Sequence, residues 1–242
     1  MDEKAYPFME HLKDLRKCLW RAMIGVALAM CGSLFFSKQL LAWLQRPMES
    51  VLGDFSHFVV LTPHEYFFTE MKAGLVAGIF VASPWILYQL WLFIAPGLYR
   101  KEQKLAFGFV FAGAFFFVAG AIFCYLVVFP PMFKFFVGTL PPGVHGNYSI
   151  GMLFSFATNM LLAFGLVFET PVVVFLLIWM GIVDIADLQS YRRYVIVMAF
   201  IVAAVLTPTP DPLTQVMMAV PMILLYELGL LAARLCLSRK IA

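Results

Sequence analysis

Residues 161–181 read LLAFGLVFETPVVVFLLIWMG, an apolar run broken by one ionisable side chain, Glu169. A helix needs about 20 apolar residues to cross ~30 Å of hydrocarbon, so the stretch is read as a membrane span. An isolated carboxylate there costs at least ~2.5 kcal/mol even on lenient insertion scales, so Glu169 is expected to face a protected interior or a wet cavity. Gly165 lies one turn toward the N-terminus on the same face, where it would leave room for the carboxylate or a water. Pro171 takes away the helical donor of the Val167 carbonyl. A polar notch inside the membrane is the expectation.

Working outward, the 242-residue chain is 63% hydrophobic and 13% charged, with a mean hydropathy of +0.90, far outside the soluble range. Several runs are long enough to span as helices, and the short alternating segments of a β-barrel are absent. The opening MDEKAYPFMEHLKDL carries both signs of charge ahead of any apolar run, so it is not read as a cleavable secretory signal. Cys18, Cys31, Cys124 and Cys236 are scattered without a C-x-x-C spacing and read as small hydrophobes. His11, His57, His64 and His145 fall in separate flanks and loops, so neither a metal nor any other cofactor is expected.

The fold class expected is an all-α integral membrane protein, one domain over 1–242 with spans near 18–36, 73–93, 105–129, 150–180, 194–206 and 213–231. Around them lie an amphipathic N-terminal segment (1–17), a first external loop (37–71), a first cytoplasmic loop (94–104), a second external loop (129–149) and a cytoplasmic tail (232–242). Only Lys38, Arg46, Lys72 and Lys134 fall outside the basic set of flanks, so the positive-inside rule puts both termini in the cytoplasm. The external loops contain apolar pieces too short to span, LLAWL and FFTEM, and a proline-rich FPPMFKFFVGTLPPG read as a folded-back loop. Together they are expected to form a cap.

Gly74 and Gly78 stand at GxxxG spacing, read as close packing within the bundle rather than a dimer face. Pro84 and Pro221 lie inside spans two and six and favour bends that suit a concave, cupped bundle. Helices five and six are expected to be short: residues 194–206 give roughly 20 Å of helix, less than ~30 Å of hydrocarbon. No internal repeat relates the halves, which argues against an inverted-repeat transporter.

Acids on the cytoplasmic side are few. Glu10 and Asp14 are four apart and share a helix face opposite Phe8, Leu12, Leu15 and Leu19. They either pair with Lys13 and Lys17 as weak surface ion pairs or hold a cationic ligand. Glu102, in GLYRKEQK, is open to the same two readings.

HLKDLRKCL, SPWILYQLWLFIAPGLYRKE, FETPVVV, LTPTPDPLTQ and PMILLYE, in that order between residues 8 and 231, resemble the TatC family, the receptor and core subunit of the twin-arginine protein translocase. The resemblance implies six helices in a cup and a subunit that exports folded proteins on the proton gradient from the bacterial cytoplasmic (inner) membrane. It implies binding of twin-arginine signal peptides at Asp14 and Glu102, with Glu10, Leu15 and Arg16 around them. Two arginines present planar forks that carboxylates accept bidentately. The family commonly has Glu at the position of Asp14 and a basic residue at that of Cys18. The resemblance further implies an intramembrane polar site at Glu169 with Gln215 and Thr207, and structural or functional positions at Pro47, Phe93, Pro84, Gln89, Pro96, Asp211, Tyr226 and Glu227. Partners implied are TatA-like and TatB-like single-span proteins in an oligomeric complex within the lipid bilayer, with no nucleic acid. The other class weighed is a proton- or cation-coupled solute transporter using Glu169; an intramembrane enzyme ranks last, for want of a nucleophile and base in facing spans.

Overall fold

The structure, a computed structural model, describes residues 8–52, 58–94, 106–139, 147–207 and 211–237. Helices α1 (Phe8–Leu34), α2 (Ser37–Leu52), α3 (Glu65–Ile94), α4 (Ala106–Phe123), α5 (Phe129–Gly138), α6 (Ile150–Phe168), α7 (Thr170–Trp179), α8 (Ile185–Ser190), α9 (Arg192–Leu206) and α10 (Pro212–Leu237) form a six-span wall. The spans are α1, α3, α4 continuing into α5, α6 continuing into α7, α9 and α10. Packing runs α1 on α3, α3 on α4 and α6, α4 on α6, α7 on α10 and α10 on α9. Helices α1 and α9 therefore end the wall, which leaves the bundle open and cupped.

Among the described residues, five helical stretches are long and apolar enough to cross a membrane, and α9, with 15 residues, is not one of them. Its length of ~22 Å agrees with the short fifth span. The sixth differs from expectation: α10 has 26 residues and starts at its Asp211 cap, so only α9 is short. Asp211 accepts from the Thr214 amide (2.8 Å) and hydroxyl (2.5 Å), and Pro212 stands where no amide donor is needed.

Other boundaries shift for local reasons. Residues 8–17 belong to α1 rather than to a separate segment. FFTEM is the start of α3, because the Thr62 amide donates to the Glu65 carboxylate at 3.2 Å in a first turn opened by Pro63. FPPMFKFFVG, expected to fold back, continues as α5 through a π turn at Cys124–Val128 that sends the Phe129 amide to Cys124 O. Pro130 and Pro131 sit in the first turn after it, where they are tolerated. LLAWL lies in α2, whose Leu41, Leu44 and Met48 are buried against α5 and α3. Helices α2 and α5, with a two-residue parallel pairing of Phe58–Val59 and Tyr148–Ser149, make up the cap. Glu65 clasps it: one oxygen takes the Leu61 amide (2.6 Å), the other the Gly151 amide (2.8 Å) and the Ser149 hydroxyl.

Three prolines, Pro84, Pro171 and Pro47, repeat one device. Each frees the carbonyl four residues earlier, and a hydroxyl takes it. Ser83 donates to Phe80 O (2.8 Å) ahead of Pro84, and Thr170 to Val167 O (2.6 Å) ahead of Pro171. For Pro47 the donor comes from another helix: Tyr125 donates to Trp43 O (2.7 Å), with the two rings stacked at 4.2 Å. Gly78 does what its spacing predicted within the bundle, since a Cβ there would lie 2.6 Å from Met30 Cα of α1. The core is filled by Phe129, Phe154, Phe164, Met132, Met160 and Met218.

Candidate functional site

Glu169 sits at the joint where α6 ends and α7 begins. Its amide turns back to Leu166 O (3.1 Å), and its own carbonyl accepts from Val173 (3.0 Å), so the helix axis breaks without exposing the backbone. The carboxylate enters a cavity of about 570 Å³ between α3, α4 and α6–α7. Ser83, Leu87, Trp91, Phe109, Phe117 and Val172 are among its walls. Glu169 Oε1 is buried with no hydrogen-bond partner among the described residues.

The room for that carboxylate is not made by Gly165, as the helical spacing suggested. A Cβ on Gly165 would strike Phe117 Cε2 at 2.8 Å, so that glycine admits a phenyl ring instead. Gly113 of α4 faces the carboxylate: a Cβ there would lie 3.2 Å from Glu169 Oε2. The Val167 carbonyl freed by Pro171 is taken by Thr170, which leaves the carboxylate itself as the polar feature of the notch.

Trp91 is a cavity residue that sequence reasoning did not single out. Its ring stacks on Phe109 at 5.1 Å and its Nε1 is buried without a partner among the described residues, a donor in the cavity that also holds the Glu169 acceptor. Unpaired buried polar atoms cost about 1–3 kcal/mol each, a cost that a ligand or a water offering both bond types would remove. An indole inside an apolar run carries no mark in sequence; its pairing with Phe109 arises across two helices. Gln89, two residues earlier, is likewise buried, with Oε1 unpartnered among the described residues.

Other expected site residues are drawn into internal contacts. Gln215 donates from Nε2 to Phe200 O at 3.0 Å, binding α10 to α9. Thr207 is buried and donates to Ala203 O (2.8 Å). Neither lines the Glu169 cavity. Tyr226 is buried and donates to Leu188 O (2.7 Å), while Glu227 meets Arg192 at 2.6 Å. These two contacts fix the α8–α9 corner on α10. Pairings between positions 35 or more apart in sequence leave no local trace.

On the side of the termini, Asp14 stands half-buried on the face of α1 turned toward α3, beside Lys17 at 3.6 Å. Arg16 is two residues, or ~200° of helix, away and exposed on another face, so the two do not converge. Leu15 is exposed. Glu10 lies in the first turn of α1. Glu102 and Pro96 lie outside the described residues. Pro47 is buried in α2, and Phe93 is half-buried near the end of α3.

The cavity also bears on the solute-transporter reading. Among the described residues that line it, Glu169 is the only ionisable one. That reading gains no support.

Comparison with known proteins adds relatives to this geometry. The sequence profile described as Sec-independent protein translocase protein (TatC) matches residues 10–221. A Sec-independent protein translocase protein TatC from Desulforapulum autotrophicum is 38% identical, over 99% of this chain and 88% of its own length. One from Escherichia coli K12 is 36% identical, over 96% and 90%. Among solved structures, the crystal structure of the twin-arginine translocase receptor TatC in DDM superposes with a TM-score of 0.82 at 33% identity, covering 92% of this chain and 99% of that one.

Proposed function

The chain belongs to the TatC family of Sec-independent protein translocase proteins, and on that premise we propose that it is the receptor and core subunit of a twin-arginine translocase in a bacterial inner membrane. It receives folded cargo by its twin-arginine signal peptide on the cytoplasmic side, where both termini lie. It works with TatA-like and TatB-like single-span partners in an oligomeric complex driven by the proton gradient. The observation that carries the reading is the match of a six-span cupped wall to the translocase receptor over nearly its whole length.

Recognition rests on Asp14 and Glu102. The Asp14 carboxylate is half-buried and its neighbour Lys17 is at 3.6 Å, an exposed pair too weak to hold it against a better partner. An arginine guanidinium donates two parallel hydrogen bonds where a lysine offers a single point charge. With about 1.5–3 kcal/mol net for each charge-assisted bond, two carboxylates discriminate an Arg-Arg pair from its Lys-Lys counterpart by orders of magnitude. Glu169 acts after recognition: its unpaired oxygen, with Trp91 Nε1, marks the cavity wall against which an inserted helix finds its polar contact.

Binding of an Arg-Arg signal peptide to the full chain in detergent tests the assignment. Asp14→Asn and Glu102→Gln each lower affinity at least tenfold while the thermal midpoint stays within a few degrees. Unchanged affinity in both variants removes the receptor role from these residues.

A further inference from the structure

Helix α1 carries a basic surface that extends beyond the Asp14 carboxylate. Lys13, Arg16, Lys17, Trp20 and Arg21 follow the i, i+3, i+4, i+7, i+8 spacing of one helix face, and all five are exposed. They enclose a surface crevice of about 390 Å³. The adjoining face, about 40° round from Arg21, holds the contacts to α3: the Gly25 backbone lies against the Trp85 ring, and Trp85 Nε1 donates to Arg21 O at 3.0 Å. The basic side chains themselves stay exposed beside that contact.

The continuation of that face toward the membrane identifies the occupant. One turn beyond Arg21 the stripe becomes apolar and remains exposed, with Ile24 at 55% and Leu28 at 69%. The change from cations to hydrocarbon takes three residues, about 4.5 Å of helix, and Trp20 stands beside it where indoles favour the membrane interface. A phosphate flanked by four cations, with a chain running down over Ile24 and Leu28, is the profile of an anionic phospholipid. A soluble acidic segment would match the charges and leave the apolar continuation unused. Of the carboxylates on described side chains near this face, only Asp14 is close, and it engages Lys17.

We propose that this face of α1 is a binding site for an anionic phospholipid, its phosphate held by Arg16, Arg21, Lys13 and Lys17 and its acyl chain along Ile24 and Leu28. The site stands independently of the signal-peptide reading. Clusters of cations beside a membrane helix favour anionic over neutral lipid by about fivefold per charge at low salt.

Trp20 supplies the probe. The full chain is reconstituted with brominated phosphatidylglycerol or brominated phosphatidylcholine, and quenching of Trp20 is taken as the difference between the wild type and Trp20→Phe. Phosphatidylglycerol is expected to quench at a several-fold lower mole fraction than phosphatidylcholine. That preference falls to near parity in Arg16→Gln/Arg21→Gln, weakens in 0.5 M salt, and persists in Arg16→Lys/Arg21→Lys, which also shows that substitution there leaves the fold intact. Lys134→Gln/Arg234→Gln removes the same charge elsewhere and leaves it unchanged. Equal quenching by the two lipids, survival of the preference in the double Gln variant, or equal loss in the distant control overturns the proposal. Equal quenching with binding of a polyglutamate peptide to the same face assigns it to an acidic protein segment instead.

Discussion

Substituting Tyr125 by Phe removes one hydroxyl from a buried ring and keeps the 4.2 Å stack on Trp43. What is lost is the donor to Trp43 O, at 2.7 Å. That carbonyl has no helical donor because residue 47 is proline. An orphaned, partly buried carbonyl costs up to about 1–3 kcal/mol, so Tyr125→Phe is expected to destabilise the protein within that range. The reasoning is sharpest in a second background. In Pro47→Ala the residue-47 amide returns as the i−4 donor, and Tyr125→Phe then costs under ~1 kcal/mol. The double-mutant cycle should show a coupling of about 1–2 kcal/mol, inside the range for groups that share a partner. Unfolding in mixed micelles by SDS titration, followed by far-UV circular dichroism, measures all four corners. An equal cost of Tyr125→Phe in both backgrounds would refute the account of Pro47 and Tyr125 as one unit.

Packing and capping lead to three more expected outcomes. Gly78→Ala places a methyl 2.6 Å from the Met30 backbone and should force α1 off α3, lowering stability by about 1–3 kcal/mol, whereas Gly32→Ala, which meets nothing within 4 Å, should be near neutral; thermal scans in detergent compare them. Asp211→Ala removes the cap of α10 at about 1 kcal/mol, and Asp211→Asn should restore most of it, as read by the same titration. Glu65→Ala opens the clasp between α3 and α6, so the cap should become more sensitive to protease at the Leu61 and Ser149 segments while the spans remain intact.

Other features acquire physical reasons once the helices are placed. Pro84 and Pro171 are each preceded by a hydroxyl residue, Ser83 and Thr170, that returns to the freed carbonyl. Bends can thus be placed at membrane depth without orphaned backbone, a condition lipid imposes and water does not. Helix α7 ends at Gly181, whose φ of 68° lets the Ile182 amide reach Leu177 O at 3.1 Å and turns the chain toward α8.

The sequence by itself determined the membrane class, the six spans, the shortness of helix five and the isolation of Glu169, because hydrocarbon tolerates few charges and sets the length of every crossing. It also carried the family, since its motifs lie in local strings. What only the tertiary structure decided are relations between strings. Gly113, far from Glu169 in sequence, makes the space for its carboxylate, and Gly165 admits Phe117. Gln215 is spent on Phe200 O, Trp91 enters the cavity, and α5 continues past two prolines through a π turn. Hydropathy records how much of a residue's surroundings must be apolar; which neighbour stands there depends on helices whose order around the wall local sequence does not encode.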